Sequence, residues 1–173
     1  MIIKPAEKKD IPEIFYLYKN VAAVPGYLAR LENEITPDYI ETNILAALDN
    51  GACLIALDTQ PNDNIQTNNT VGVIHGHSTG IKCFEHVIGN ITIAVMPNLQ
   101  NQGIGKLLFN EFIAHVKINM PHITRIELMA RESNSKSINL YKSLGFEIEG
   151  KLRTRIQNTD GSKEDDLVMG LLL

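Results

Sequence analysis

The feature that most constrains the fold is a strand, a polar turn with two glycines and a helix that follow one another between residues 91 and 116. Ile91, Ile93 and Val95 alternate with other residues, which is typical of a β-strand. Beyond the turn, apolar residues recur at helical spacing: Ile104, Leu107, Leu108, Phe112, Ile113 and Val116. The sequence therefore predicts a helix that begins directly after Gly103 and follows a strand ended by Pro97.

The glycine turn is a candidate phosphate-binding site. The first amides of a helix lack partners within the helix, and the positive end of the helix dipole lies behind them. Glycine allows a bulky anion to approach the backbone closely. A P-loop would need Gly at position 100 and Ser or Thr at 107, where the chain has Gln100 and Leu107, and a dinucleotide-binding turn would need Gly in place of Leu108. The two glycines taken alone fit an ordinary strand–helix connection equally well.

The rest of the chain predicts one α/β domain spanning residues 1–173. At 173 residues and 44% apolar composition, the chain is long enough to bury a core. The residue patterns predict the order β-α-α-β-β-β-α-β-α-β-β and a mixed sheet. Helices are predicted over about 11–21, 36–50, 104–116 and 135–144, and strands over about 2–5, 53–57, 71–77, 86–95, 125–130, 146–156 and 166–172.

Charge and cysteine usage exclude several classes of protein. The net charge is −4 and no block of Lys or Arg occurs, which argues against a nucleic-acid partner. Cys53 and Cys83 are isolated, so neither a zinc site nor a disulfide framework is expected. No apolar run approaches the length of a membrane span, and the N-terminus does not look like a signal peptide. We therefore expect a cytoplasmic protein without a membrane or metal partner.

A second motif, later in the chain, supports a function for the glycine turn. The segment Asn134-Ser-Lys-Ser-Ile-Asn-Leu-Tyr-Lys-Ser-Leu-Gly-Phe146 follows Gln100-x-x-Gly103-x-Gly105 by about 30 residues. Together they resemble the GNAT N-acetyltransferase superfamily. The resemblance implies a single-domain, mixed but mostly antiparallel sheet of six to seven strands with helices on both faces. It also implies transfer of an acetyl group from acetyl-CoA (coenzyme A) to a primary amine of a small molecule, peptide or protein by direct attack, and a homodimer is common in this family.

The resemblance also implies which residues bind acetyl-CoA. Backbone amides of the turn would hold the pyrophosphate, and the strand edge at Ile93 and Val95 would pair with the pantetheine arm and polarise the thioester carbonyl. Lys106 would lie near the anion, although it fits a solvated helix lysine equally well. The cofactor residues expected in the turn are Gln100, Asn101, Gln102, Gly103, Ile104, Gly105 and Lys106.

The second motif supplies the expected general acid. Tyr141 would donate a proton to the departing thiolate, because a phenol is protonated at neutral pH. Its spacing with Ile138 and Leu144 also fits a residue that only packs in the core. Asn134 would contact the cofactor, or cap the helix that follows, or do both. Ser137 would lie beside the cofactor.

The general base and the acceptor site are the least defined parts. We expect a water relay from the amine that ends at Glu85, His86 or His77 as general base. A histidine on a strand is, however, more often a packed or capped surface residue than a general base. Tyr27 and Arg30 belong to the connector between the first two predicted helices (residues 24–30), and we expect them on the acceptor side, with His77 facing the same cleft. The connector fits an ordinary polar loop equally well. Two alternatives stay open: a non-catalytic acyl-CoA-binding module, and a nucleotide-binding α/β protein of another class.

Overall fold

The computed structural model describes residues 1–24, 26, 28–59 and 70–173. Within them, four helices and seven strands follow the predicted order. The helices are α1 (Ile11–Ala22), α2 (Pro37–Asn50), α3 (Ile104–Asn119) and α4 (Ser135–Ser143). The strands are β1 (Ile2–Pro5), β2 (Gly51–Leu57), β3 (Thr70–His77), β4 (Val87–Val95), β5 (Arg125–Arg131), β6 (Glu147–Gln157) and β7 (Lys163–Leu172).

The strands form one sheet in the order β1-β2-β3-β4-β5-β7-β6. All neighbouring pairs are antiparallel except β4 and β5, which are parallel. These two strands pair only where they begin, at Val87 with Arg125 and Ile88 with Ile126. Since β4 continues to Val95 and β5 to Arg131, the two strands diverge beyond Ile88 and leave a gap in the middle of the sheet.

Helices cover both faces of the sheet, as expected. Alternation along β2 shows this division, because Leu54 packs in one hydrophobic cluster and Cys53 and Ile55 pack in the other. The first cluster contains apolar residues of α3 and α4, and the second contains those of α1 and α2. The predicted mixed, mostly antiparallel α/β sheet is confirmed. No helix in the described ranges is both long and apolar enough to cross a membrane.

Helix α4 begins where the sequence pattern places it. The Asn134 side chain accepts a hydrogen bond from the Ser137 amide at 3.1 Å, which is the geometry of an N-cap. This bond fixes the start of α4 directly after β5 and the turn that follows it. Because β5 ends beside the gap in the sheet, the first turns of α4 face the end of β4 across that gap.

Candidate active site

A crevice of about 500 Å³ opens where β4 and β5 diverge, and we call it the first crevice. The end of β4, the turn before α3, the start of α3 and one side of α4 form its walls. Its lining residues are Gly26, Ile93, Val95, Leu99, Gln100, Asn101, Gly103, Ile104, Gly105, Lys106, Asn134, Lys136, Ser137, Leu140 and Tyr141. The structure thus brings together most of the cofactor residues expected from the two motifs.

Backbone amides at the start of α3 are available to an anion. The first helical bond runs from the Leu107 amide to the Gly103 carbonyl at 3.0 Å. The amides of residues 101–106 donate to no acceptor among the described residues. Gly103 precedes the helix with a φ of +82° and offers no side chain to cap it. A row of unpaired amides at a helix start is the arrangement that binds phosphate groups.

The two glycines contribute differently to this site. Gly103 has the left-handed backbone conformation that residues with a Cβ rarely adopt. Gly105 is helical, and a Cβ added there would lie 3.8 Å from the Ile93 side chain. A methyl group at position 105 would therefore occupy space between α3 and β4, within the first crevice.

Two lysines add positive charge beside the amides. Lys106 lies in the first turn of α3, and Lys136 lies near the start of α4. The Lys136 ammonium donates to the Asn101 side-chain oxygen and so bridges the two motifs. Sequence reasoning missed Lys136 as a site residue, although its position two residues after the Asn134 cap already placed it at the same helix start. It missed Gly26, Leu99 and Leu140 as well.

The side chains of the two glutamines in the turn lie in different places. The Gln100 side chain lines the first crevice, but its amide donates to the Val95 carbonyl at 3.1 Å and so folds the turn back onto β4. Gln102 does not line the crevice; its exposed side chain lies 3.5 Å from the Asn98 carbonyl. The expected contact of Gln102 with the cofactor is through its backbone amide, which belongs to the row of amides at residues 101–106.

The edge of β4 that faces the gap presents free backbone groups. Met96 donates to Val71 on the β3 side, so the alternation of antiparallel pairing turns the amides of Ile93 and Val95 toward the gap. The register between β3 and β4 shifts between the pairs His75–Thr92 and His77–Gly89, and Asn90 there has a φ of +52°. This bulge bends β4 beside the point where β5 leaves it.

Tyr141 lies between the crevice and the core. Its ring packs against the rings of Phe109 and Phe146, with centroid distances of 5.4 and 6.1 Å. Burial raises the pKa of Tyr141 above its ordinary value, and the Ser137 hydroxyl partly opposes this rise. The phenol is therefore protonated at neutral pH. Both interpretations of its spacing apply: the ring packs in the core, and the residue lines the crevice.

A smaller crevice of about 190 Å³ continues from the first, and we call it the second crevice. Both share Gly26, Ile93, Asn134, Ser137 and Tyr141. The second crevice adds Leu28, Ala29, Ile91, Thr92, Met129, Ala130 and Arg131. Within this described lining there is no carboxylate and no histidine. Arg131 is paired with Glu164 at 2.6 Å, so the described walls carry little net charge. They combine apolar residues with the polar side chains of Thr92, Asn134, Ser137 and Tyr141.

The expected ends of a water relay lie elsewhere. Glu85 and His86 are exposed and precede β4 at the end where β4 and β5 are paired. His86 lies six positions before Thr92, which is roughly 20 Å along a strand. His77 pairs with Gly89, and its Nδ1 lies 3.1 Å from the Ser78 carbonyl oxygen. The described lining of neither crevice includes these three residues, so none of them would reach the amine except through a long chain of water molecules.

The connector between α1 and α2 reaches the second crevice through only some of its described residues. The Arg30 guanidinium lies 4.1 Å from the centroid of the Tyr39 ring and does not line either crevice as described. This cation–π contact places the guanidinium beside α2. Tyr27 lies outside the described residues. The neighbouring Gly26, Leu28 and Ala29 do line the second crevice, so the connector reaches the site through small and apolar residues.

Comparison with known proteins now gives the class of this protein. The model of the acetyltransferase (GNAT) family matches residues 27–146, more than half of the chain. The chain therefore belongs to the GNAT acetyltransferase family, which confirms the resemblance in the two motifs. No group of three or more His, Cys, Asp or Glu side chains in the described part of the chain could hold a metal ion.

Particular relatives are similar over part or all of the chain. The [ribosomal protein bS18]-alanine N-acetyltransferase of Escherichia coli K12 is 35% identical over 79 residues, which are 46% of this chain and 51% of that protein. The chain thus spans about half the length of the curated relatives that it matches. An acetyltransferase of the GNAT family from Streptococcus pneumoniae has a TM-score of 0.84 at 22% identity, with 99% of both chains covered. The acetyltransferase yncA of Salmonella typhimurium, solved with its cofactor acetyl-CoA, has a TM-score of 0.82 at 19% identity, with 100% and 94% covered.

Proposed function

We propose that this protein transfers the acetyl group of acetyl-CoA to a primary amine. The observation that supports this most directly is the row of unpaired amides at residues 101–106, which opens into the crevice that Tyr141 also lines. Such a row binds phosphate groups without an excess of basic residues, which agrees with the net charge of −4. Lys106 and Lys136 add positive charge to the lining of the first crevice.

The described residues fit the cofactor along the length of the first crevice. The amides of the turn would hold the pyrophosphate, and the amides of Ile93 and Val95 face the gap where an extended arm can pair with β4. The Val95 carbonyl already accepts a bond from Gln100, so pairing at that position would use its amide. Acetyl-CoA supplies an acetyl group activated as a thioester.

The reaction we propose is a direct displacement. The nitrogen of the neutral amine attacks the thioester carbonyl carbon, and the amide of a β4 residue at the gap donates to the carbonyl oxygen as it gains charge. The carbon–sulfur bond then breaks, and Tyr141 donates its proton to the departing sulfur. The amine proton passes to water, since no carboxylate or histidine is present among the described lining residues of either crevice, and Tyr141 regains a proton from water. The products are the N-acetyl amide and coenzyme A.

For the acceptor we propose the N-terminal amine of a protein or peptide. The Escherichia coli relative is named for acting on an alanine of a ribosomal protein, and the matched half of that protein supports the same class here. The second crevice is small, at about 190 Å³, which suits an amine beside a short side chain. A small free amine is the other outcome of the test.

An acceptor screen tests the proposal. The protein is incubated with acetyl-CoA and one amine at a time, and release of the free thiol is followed. The panel contains hexapeptides with N-terminal alanine, serine or methionine, the N-acetylated alanine peptide as control, and small amines such as phenethylamine. We expect turnover with at least one free N-terminus and none with the blocked peptide. Stabilisation by acetyl-CoA without turnover for any amine would refute the transferase and favour a non-catalytic acyl-CoA-binding module.

Several expectations from the sequence remain proposals. We propose a single domain over residues 1–173, a location in the cytoplasm and a possible homodimer. Size-exclusion chromatography with light scattering measures the assembly state directly. Preference of the first crevice for coenzyme A over NAD or ATP, measured by calorimetry, would exclude the remaining nucleotide-binding alternative.

A further inference from the structure

Behind the second crevice, polar side chains of α1, β3 and β4 form a buried row. Tyr18 and His75 are both about 1% exposed, and the Tyr18 hydroxyl lies 2.6 Å from His75 Nε2. His75 and Thr92 are directly opposite in the β3–β4 register, so their side chains lie on the same face of the sheet. Burial raises the pKa of Tyr18, and the Thr92 hydroxyl partly opposes this rise, so Thr92 acts on the phenol of Tyr18. Thr92 also lines the second crevice. The row therefore runs from the core to the acceptor side of the site.

The direction of the hydrogen bonds follows from their geometry. A separation of 2.6 Å is typical of an O–H donor and is shorter than usual for an N–H donor, so Tyr18 donates to His75 Nε2. The Tyr18 oxygen then has lone pairs available to accept from the Thr92 hydroxyl. With its hydrogen used in this way, the Thr92 oxygen offers its lone pairs to a donor in the crevice.

The row orients a hydroxyl and does not remove a proton from the amine. When Nε2 accepts from Tyr18, the proton of neutral His75 lies on Nδ1, which has no hydrogen-bond partner among the described residues. Burial lowers the pKa of His75 to about 4, so the imidazole stays neutral near pH 7. The terminal residue of the row is thus a fixed acceptor for Tyr18.

We propose that Thr92 accepts a hydrogen bond from the acceptor amine, and that Tyr18 and His75 are positioning residues that hold the Thr92 hydroxyl in this orientation. Binding one N–H of the amine at Thr92 restricts the direction of the nitrogen lone pair, which must face the thioester carbonyl for attack. Thr92 is adjacent to Ile93, whose amide faces the gap between β4 and β5. Thr92 and Tyr141 both line the second crevice. This inference rests on the proposed function, because it assigns a residue to the acceptor of that reaction.

Variants of Thr92 test the contact with the amine. Thr92→Val keeps the branched shape but removes the hydroxyl, and Thr92→Ser keeps the hydroxyl. We expect Thr92→Val to raise KM for the most active amine of the acceptor panel by roughly three- to tenfold, with acetyl-CoA affinity unchanged. Thr92→Ser should restore most of the acceptor affinity.

Thr70→Val is the matched control. Thr70 is a buried threonine on β3, the strand that pairs with β4, and it donates to Glu13 of α1 at 2.6 Å. It does not line either crevice as described. Loss of this hydroxyl should lower the melting temperature and leave the acceptor KM unchanged. An equal rise in acceptor KM for Thr70→Val and Thr92→Val would mean that the effect is only structural, and would overturn the proposal.

A double-mutant cycle and a spectrum test the positioning residues. Tyr18→Phe should raise the acceptor KM less than Thr92→Val does, and the double variant should be no worse than Thr92→Val alone, because both changes act through one hydroxyl. In the wild-type protein, two-bond ¹H–¹⁵N correlations should show neutral His75 with its proton on Nδ1. A proton on Nε2, or additive effects on KM, would overturn the assigned direction.

The outcomes separate this inference from the proposed function. Turnover by the wild-type protein with an unchanged acceptor KM in Thr92→Val would refute the role of Thr92 and leave the transferase intact. Absence of turnover by the wild-type protein with every amine of the panel would refute the transferase and this inference together.

Discussion

The rings of Phe109 and Tyr141 meet edge to face, with centroids 5.4 Å apart and planes inclined by 63°. Phe109 belongs to α3, whose first turn presents the unpaired amides, and Tyr141 belongs to α4. The contact therefore couples the proposed phosphate site to the proposed general acid through packed aromatic side chains. Phe146 packs against both rings, which restricts the orientation of the phenol further.

Tyr141→Phe should separate chemistry from packing. Phenylalanine keeps the ring contacts and removes the proton donor, so we expect kcat to fall about 100-fold with little change in the melting temperature or in acetyl-CoA affinity. Steady-state thiol release and thermal melting measure these quantities. A kcat within threefold of the wild-type value would assign Tyr141 to the core alone.

Gly105→Ala should stabilise the fold and weaken cofactor binding. Alanine is favoured over glycine in a helix by about 0.5–1 kcal/mol, and a Cβ at this position meets only an ordinary contact with Ile93. The same methyl group would occupy the first crevice beside the amides. Urea unfolding should show higher stability, while calorimetry should show weaker binding of acetyl-CoA. Unchanged affinity would place the cofactor away from Gly105.

Lys136→Met should weaken acetyl-CoA binding by about three- to tenfold, since it removes a charge beside the amides. The wild-type affinity should fall with salt, and the variant should depend on salt less steeply. Lys142→Met is the matched control, because Lys142 is exposed on the same helix and does not line either crevice as described. Equal loss of affinity in both variants would indicate a general charge effect.

The buried His75 predicts how stability depends on pH. The pKa of His75 is lowered from 6.5 to about 4 in the folded protein, chiefly by burial. Between these values the unfolded chain binds a proton at His75 and the folded protein does not, so the free energy of unfolding falls as the pH falls through this window. The total loss from this group is about 3 kcal/mol.

Urea unfolding of the wild-type protein and His75→Gln at pH 7.5 and 5.0 measures this effect. The variant should lose less stability between the two values, because carboxylates contribute equally to both proteins. The ring resonances of His75 in the wild-type protein should also not titrate between pH 5.5 and 8. A mid-point near pH 6.5 would contradict the burial argument.

Local patterns predicted the elements and the core of the site well. Gly103, Gly105, Asn134 and Tyr141 line one crevice, and the strand end, helix start and helix cap that bring them there are encoded by adjacent residues. Periodicity alone is enough to place such elements, and the family resemblance supplied their order in space.

The base and acceptor residues could not be predicted for a physical reason. Glu85 and His86 adjoin β4 in sequence, but the sequence does not show at which end β4 leaves β5, and the crevice opens at the other end. The contact between Tyr18 and His75 joins residues 57 positions apart, so it depends on how α1 packs on the sheet. Such long-range contacts leave no periodic signal in the chain.

The most direct test of this account is an amide ¹H–¹⁵N titration of the protein with coenzyme A. Binding of the pyrophosphate by the unpaired amides predicts large downfield shifts for Gly103, Gly105 and their neighbours within residues 101–106, with smaller shifts elsewhere. Saturable binding that leaves these amides unmoved, while resonances in another part of the protein shift, would contradict it.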